Sequence, residues 1–122
     1  MTAVPDLPAD FAGWIAHIAD GLDTGGEPAS AILPQLAGCG LASAGVPVSS
    51  GGSGGDVVDG VFAIAAVAQE SLAAAFVLWG HRTYIEYLLQ SPNRQLEERY
   101  LPGLLNGSVG GATGLSNAMK FL

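Results

Sequence analysis

From Val61 to Trp79 the chain is almost wholly apolar, and only Gln69, Glu70 and Ser71 interrupt it. The interruption leaves each piece far short of the roughly 20 apolar residues that a membrane span needs. The stretch therefore reads as two helices of a protein core. In the first, Val57, Val58, Val61, Ile64, Ala65 and Ala68 recur at the spacing of one helical face, and the opposite face is nearly as apolar. A helix apolar all round belongs at the centre of a fold. Asp56 precedes it as a capping residue. The second helix carries Leu72, Phe76, Trp79, Tyr84, Ile85, Leu88 and Leu89, and Pro92 ends it.

Shorter segments flank this pair. Asp10 to Ala19 places Phe11, Trp14, Ile15 and Ile18 at helical spacing, with Asp10 as the expected cap and turn residues from Asp20 to Glu27. A second short helix is predicted over Ala29 to Gly38, with Ile32, Leu33 and Leu36 inward; Pro34 either delays its start or kinks it. Gly40 to Gly55 holds six glycines and a proline, yet Leu41, Val46 and Val48 punctuate it, so an ordered loop is expected rather than a linker. Arg94 to Leu101 is amphipathic, and Pro102, Gly103 and a turn at Asn106-Gly107 follow. Ser108 to Leu115 is small and glycine-rich, with weak strand character. The result is an all-α helical bundle whose last residues begin a β-strand.

At 122 residues the chain has the size of one domain. Charged residues make up only 12 per cent, against about 25 per cent in an average protein. A surface so poor in charge is expected to be covered in part by further polypeptide or by other subunits. The net charge is −7 and the four basic residues, Arg82, Arg94, Arg99 and Lys120, are scattered. No basic patch exists for phosphates, which argues against nucleic acid as a partner. The N-terminal residues contain no export signal, and Cys39, the single cysteine, cannot form an internal disulfide; the cytoplasm is the expected compartment and a small buried thiol the expected role.

Three kinds of chemistry lack their residues. His17 and His81 have no carboxylate or cysteine at ligand spacing, which argues against a metal site. His17 is expected to be packed or half-exposed. No Gly-x-Ser-x-Gly elbow occurs, and Cys39 has no base near it in sequence. Gly51-Gly52-Ser53-Gly54-Gly55 lacks the preceding strand and the following Lys-Ser/Thr of a phosphate loop. Asp56 would also repel a phosphate from that helix start, so a tight turn feeding a capped helix is the better reading.

Two motifs in order carry a family resemblance. Gly45-Val46-Pro47 followed by Gly51-Gly52-Ser53-Gly54-Gly55-Asp56 is similar to the loop that opens a central helix in acyl-CoA dehydrogenases. Glu98-Arg99-Tyr100-Leu101-Pro102 resembles the segment that ends a later helix there, with Gly107 in the following turn. The resemblance spans about residues 30–118. It implies an FAD-dependent oxidoreductase acting on an acyl-CoA thioester in fatty acid metabolism, built from a helical N-terminal domain, a middle β-domain and a C-terminal four-helix bundle in an oligomer. Residues 1–107 would be the first of these and 108–122 the start of the second. Thr113, Leu115 and Ser116 would lie near the flavin, with Ser116 as a hydroxyl partner for the ring. Phe76, Trp79, Gly80 and Thr83 would line the acyl pocket, where the bulk of Trp79 favours short or compact substrates. The alternative places Phe76 and Trp79 in the plain core.

Several residues depart from the family pattern. Asn117 and Ala118 stand where it has an acid and a proline, and Ala65 and Ala66 replace a common acidic pair. This leaves room for a flavin-dependent monooxygenase or oxidase on the same scaffold, or for a non-enzymatic helical interaction module. The family's proton-abstracting carboxylate lies beyond this segment, so no catalytic residue is assigned here, and Glu70, Glu86, Glu97 and Glu98 read as helix-surface acids. The apolar stop at Phe121-Leu122 suggests that the polypeptide continues. The low charge content also predicts that residues 1–122, expressed alone, form oligomers or aggregates on a sizing column. A monodisperse monomer there contradicts that reading.

Overall fold

The computed structural model describes residues 6–114 and 120, which form an all-α bundle. Helix α1 spans Ala9–Thr24, α2 Ile32–Gly38, α3 Val57–Ala68, α4 Leu72–Gln90 and α5 Arg94–Asn106. No strand occurs among the described residues.

The first helix starts without a side-chain cap: the Pro8 carbonyl accepts the Ala12 N–H at 2.9 Å, and Asp10 lies inside the first turn. It also runs past Ala19 to Thr24, through residues that had read as a turn. The Thr24 hydroxyl donates back to the Asp20 carbonyl at 3.0 Å, and Leu22 packs on the core, so burial overrides the local turn preference. Gly25, at φ 78°, then closes the helix. Pro34 does delay α2. A short 3₁₀ turn covers Ala29–Ala31, and the proline sits in the first helical turn, where its missing N–H has no helical partner.

The glycine-rich loop is ordered by its own backbone. Gly45 N–H donates to the Gly54 carbonyl at 3.1 Å, Gly54 N–H to Val46 at 2.8 Å and Ser53 N–H to Ser43 at 3.1 Å. Gly45 has φ 73°, and a Cβ there would run into the carbonyl oxygen of Asp56. The loop delivers Asp56 as the cap of α3: its carboxylate accepts from Val58 N–H at 3.0 Å, while Asp59 accepts from the Asp56 N–H at 2.9 Å.

Helix α3 faces the other way from the face that its apolar spacing suggests. Gly60, Ala63, Ala66 and Val67 are buried, whereas Val57, Val58, Val61 and Ala68 are exposed. The reason is close approach to α4. A Cβ on Gly60 would come within 3.2 Å of the Arg82 side chain, and alanines 63, 74 and 75 meet in the same core cluster. Small residues let the two backbones close, and Val57, Val58 and Val61 are turned outward. Helix α4 takes the centre instead, packing against α1, α2, α3 and α5.

The core has two parts that share α4. Phe11, Ile15, Ile18, Ile32, Leu36, Val67 and Leu78 belong to one; Val46, Ile85, Leu88, Leu101 and Leu104 form the other. Between them α4 carries His81 and Arg82, which are only 1 and 4 per cent exposed. Arg82 donates to the carbonyls of Ala44 and Gly45 at 3.1 Å each and pairs with Glu86 at 2.8 Å. Helix α5 continues through Pro102 to Asn106 rather than ending at Leu101. Leu101 and Leu104 are buried on one side, and the proline lies on the exposed side, where water can satisfy the freed carbonyl of Glu98.

Two acids expected on the surface are tied in: Glu97 is buried against Ser50 and Arg94, and Glu86 is held by Arg82. Cys39 is half-buried beside the first core, and burial pushes its thiol pKa up; His17 is exposed. Replacing Arg82 by leucine strands the loop carbonyls and Glu86, and chemical denaturation should show a loss of at least about 2 kcal/mol. Arg94→Leu, which removes an exposed pairing, should cost less than about 1 kcal/mol.

Candidate functional site

Helix α4 has a second face, pointed away from the core. Leu72 is 77, Phe76 69 and Trp79 41 per cent exposed, so these large residues are not core residues. The Phe76 and Trp79 rings lie 5.4 Å apart at 39° and form one aromatic ridge. Gly80 and Thr83 continue it, the Thr83 hydroxyl donating to the Trp79 carbonyl at 2.6 Å. Tyr87 ends it.

The chain after α5 returns along this ridge. Gly111 N–H donates to His81 Nδ1 at 3.0 Å, and two residues later the Thr113 hydroxyl shares a hydrogen bond with the Tyr87 hydroxyl at 2.9 Å. Gly111 fits only because it has no side chain: a Cβ there would be 2.8 Å from Cβ of Tyr84. The returning segment makes a hollow of about 290 Å3 lined by Phe76, Val77, Trp79, Gly80, Gly111, Ala112 and Thr113. On the far side of Trp79 a groove of about 210 Å3 runs between α3 and α4, where Val57, Val61, Ile64, Thr83 and Tyr87 form the walls. Both are mainly apolar. Trp79 borders each of them.

The four residues expected around an acyl chain therefore share one helix face, and Thr113 joins three of them at one hollow. Leu115 and Ser116, also expected near a flavin, lie outside the described residues, as do Asn117 and Ala118. A sequence reading missed His81, Arg82 and Tyr87. The available signal was a His-Arg pair in the middle of an otherwise apolar helix, a position that burial permits only with partners.

His81 is held in one tautomer. Because Nδ1 accepts from Gly111, Nε2 carries the proton and donates to the Leu104 carbonyl at 2.7 Å. Burial pushes its pKa below the usual imidazole value, an effect only partly offset by the bond to Leu104.

A third, more polar hollow of about 520 Å3 lies beside Gly45, Ser50, Asp56, Glu86, Arg94 and Glu97. Its carboxylates are already engaged by Ser50, Arg82, Arg94, Gln90 and the α3 backbone. Among the described residues no group of His, Cys, Asp or Glu could hold a metal ion, and no helix is long and apolar enough to cross a membrane.

A protein-family model described as acyl-CoA dehydrogenase, N-terminal domain, matches residues 11–108. Searches of curated proteins and of solved structures found no match to the chain.

The buried His81 also makes stability depend on pH. The unfolded chain binds a proton to this imidazole more readily than the folded one, so stability falls as pH drops below the ordinary histidine value of about 6.5 and levels off below the lowered folded pKa. Denaturation midpoints taken from pH 7.5 downward should show this loss, and a His81→Gln variant should show a shallower dependence over the same window.

Proposed function

The chain belongs to the acyl-CoA dehydrogenase family through its N-terminal domain, and we propose that it forms one wall of an acyl-binding and flavin-binding pocket in an FAD-dependent oxidoreductase. The observation that carries this reading is the outward aromatic ridge of α4 beside residues 111–113. Large apolar side chains left exposed in a row need a partner surface or a ligand. The two hollows that Trp79 borders are mainly apolar, which suits an acyl chain.

The residues at the hollow fit the ring end of FAD. Gly80, Gly111 and Ala112 are small and leave room for a flat ring, Phe76 and Trp79 supply an apolar side, and the Thr113 hydroxyl would be a polar contact. They do not fit its diphosphate, because the hollow is lined by no lysine or arginine. Another part of the protein would hold that end. When bound, FAD would supply the acceptor for the electron pair taken from the acyl chain. This segment's own work is to bind and to exclude water: Phe76, Trp79 and Thr83 cover the acyl chain, and Leu115 and Ser116 are proposed to continue the ring contact. The proton-abstracting base is assigned to a part of the protein outside these residues.

Trp79 lines both the α3–α4 groove and the hollow under residues 111–113, and its bulk there supports a preference for short or compact acyl groups. Asn117 and Ala118, in place of the family's acid and proline, favour a second reading as a flavin-dependent oxidase or monooxygenase. The cytoplasm is the proposed compartment, and further polypeptide or other subunits are the proposed cover for the rest of the charge-poor surface.

The test is turnover of acyl-CoA thioesters of graded length by the full-length protein, with its visible spectrum recorded. Flavin bands and consumption of short substrates with an artificial electron acceptor are expected. Trp79→Ala should shift the kcat/KM ratio toward longer chains by about tenfold. A colourless protein, or an unchanged length preference in the variant, contradicts the proposal. Oxygen consumption without the artificial acceptor selects the oxidase or monooxygenase reading.

A further inference from the structure

His81 is buried among groups that leave it one arrangement. One ring nitrogen holds the last turn of α5 through Leu104, and the other holds the chain that returns from α5 through Gly111. Three α4 residues at successive turns meet that returning chain: His81 accepts from Gly111, Tyr84 packs against it, and Tyr87 bonds Thr113. Val109 N–H, bonded to the Gly103 carbonyl at 3.1 Å, fixes the turn that starts it. A methyl group on Gly111 has no room against Tyr84, so the contact tolerates no sideways shift.

We propose that His81 is a positioning residue whose neutral imidazole docks residues 110–113 onto α4, and whose protonation releases them. The charge balance around the ring supports a proton-dependent contact. On α4 the neighbouring Arg82 turns its guanidinium to Ala44, Gly45 and Glu86, and Tyr84 presents its ring to Gly111. On α5, Glu97 is engaged by Ser50 and Arg94, and Glu98 and Arg99 are exposed. Helix α2 and residues 110–113 contain no charged residue. None of these groups is bonded to His81, so an imidazolium there would have no carboxylate partner. It would also present N–H against N–H at Gly111, turning an attraction into a repulsion. In the proposed reading of the site, residues 111–113 are a wall of the ligand hollow, so His81 would set that wall's position from behind; the docking itself does not depend on that reading.

The experiment is nuclear magnetic resonance of the full-length protein labelled with 15N, following the imidazole nitrogens and the Gly111 and Thr113 amides from pH 7.5 to 4.5. Near neutrality His81 is expected as the Nε2–H tautomer. As it protonates, the protection factor of Gly111, corrected for intrinsic exchange, should fall by about tenfold, the scale of one lost hydrogen bond. Thr113 should move in the same step, while amides within α1 to α4 keep theirs. His81→Phe perturbs the packed core together with the contact, so Gly111→Ala is the second variant, and in it the 111–113 segment should lose protection at pH 7.5 with the helices unchanged. An Nδ1–H tautomer, or Gly111 protection that persists through the His81 titration, overturns the proposal. Retained protection in Gly111→Ala overturns it as well. Flavin binding does not enter this readout, so a failure here leaves the proposed function standing, and a colourless protein leaves the docking contact standing.

Discussion

The fold depends on how α4 satisfies two polar side chains in its own buried face. A guanidinium and an imidazole at adjacent positions would be costly in an apolar core. Here each becomes a fastener because its partners are backbone groups from elsewhere in the chain. Arg82 gathers the carbonyls of Ala44 and Gly45, which lie in the loop between α2 and α3. His81 gathers the Leu104 carbonyl and the Gly111 N–H, which end α5 and begin the segment after it. The pair sits between the two apolar clusters, so α4 is both the shared wall of the core and the rod to which the irregular segments are fixed.

That arrangement dictates what remains on the surface. Gly60, Ala63, Ala66, Ala74 and Ala75 allow α3 and α4 to approach closely, and Val57, Val58 and Val61 of α3 and Leu72, Phe76 and Trp79 of α4 are left on the outside. A helix pair packed through small residues can afford a bulky outer face only where that face has another use. Phe76 and Trp79 make the ridge, the α3–α4 groove lies on one side of it, and the 111–113 segment lies on the other. In the proposed reading, stability and ligand contact are divided between two faces of one helix, and a change at Trp79 disturbs the core less than a change at His81.

Much of this was legible in the sequence, and the exceptions have physical causes. The existence of the helices, the Asp56 cap and the ordered glycine loop follow from apolar spacing and turn chemistry, which are local properties. The direction in which α3 faces does not, because spacing marked a stripe of valines whereas backbone approach selected Gly60 and the alanines. The extension of α1 through Asp20 and Gly21, and of α5 through Pro102, reflects burial of Leu22 and Leu104 overriding residue preference. Phe76, Trp79, Gly80 and Thr83 were grouped by the family resemblance, and the structure sets them on one face of α4. The role of His81 could not, since both of its partners are backbone groups far along the chain. Glu97 was misread as a surface acid for the same reason, its partner Ser50 being 47 residues away.

The most direct measurement of the central claim is hydroxyl-radical footprinting of the full-length protein, with and without FAD and an unreactive acyl-CoA analogue. If α4 presents its outer ridge to a ligand, Phe76 and Trp79 should become protected from oxidation on binding, while the half-buried Trp14, packed beside the first core on α1, stays unchanged. Equal oxidation of Phe76 and Trp79 in the free and loaded protein would contradict the account and leave the ridge as a surface for something other than the acyl group and the flavin.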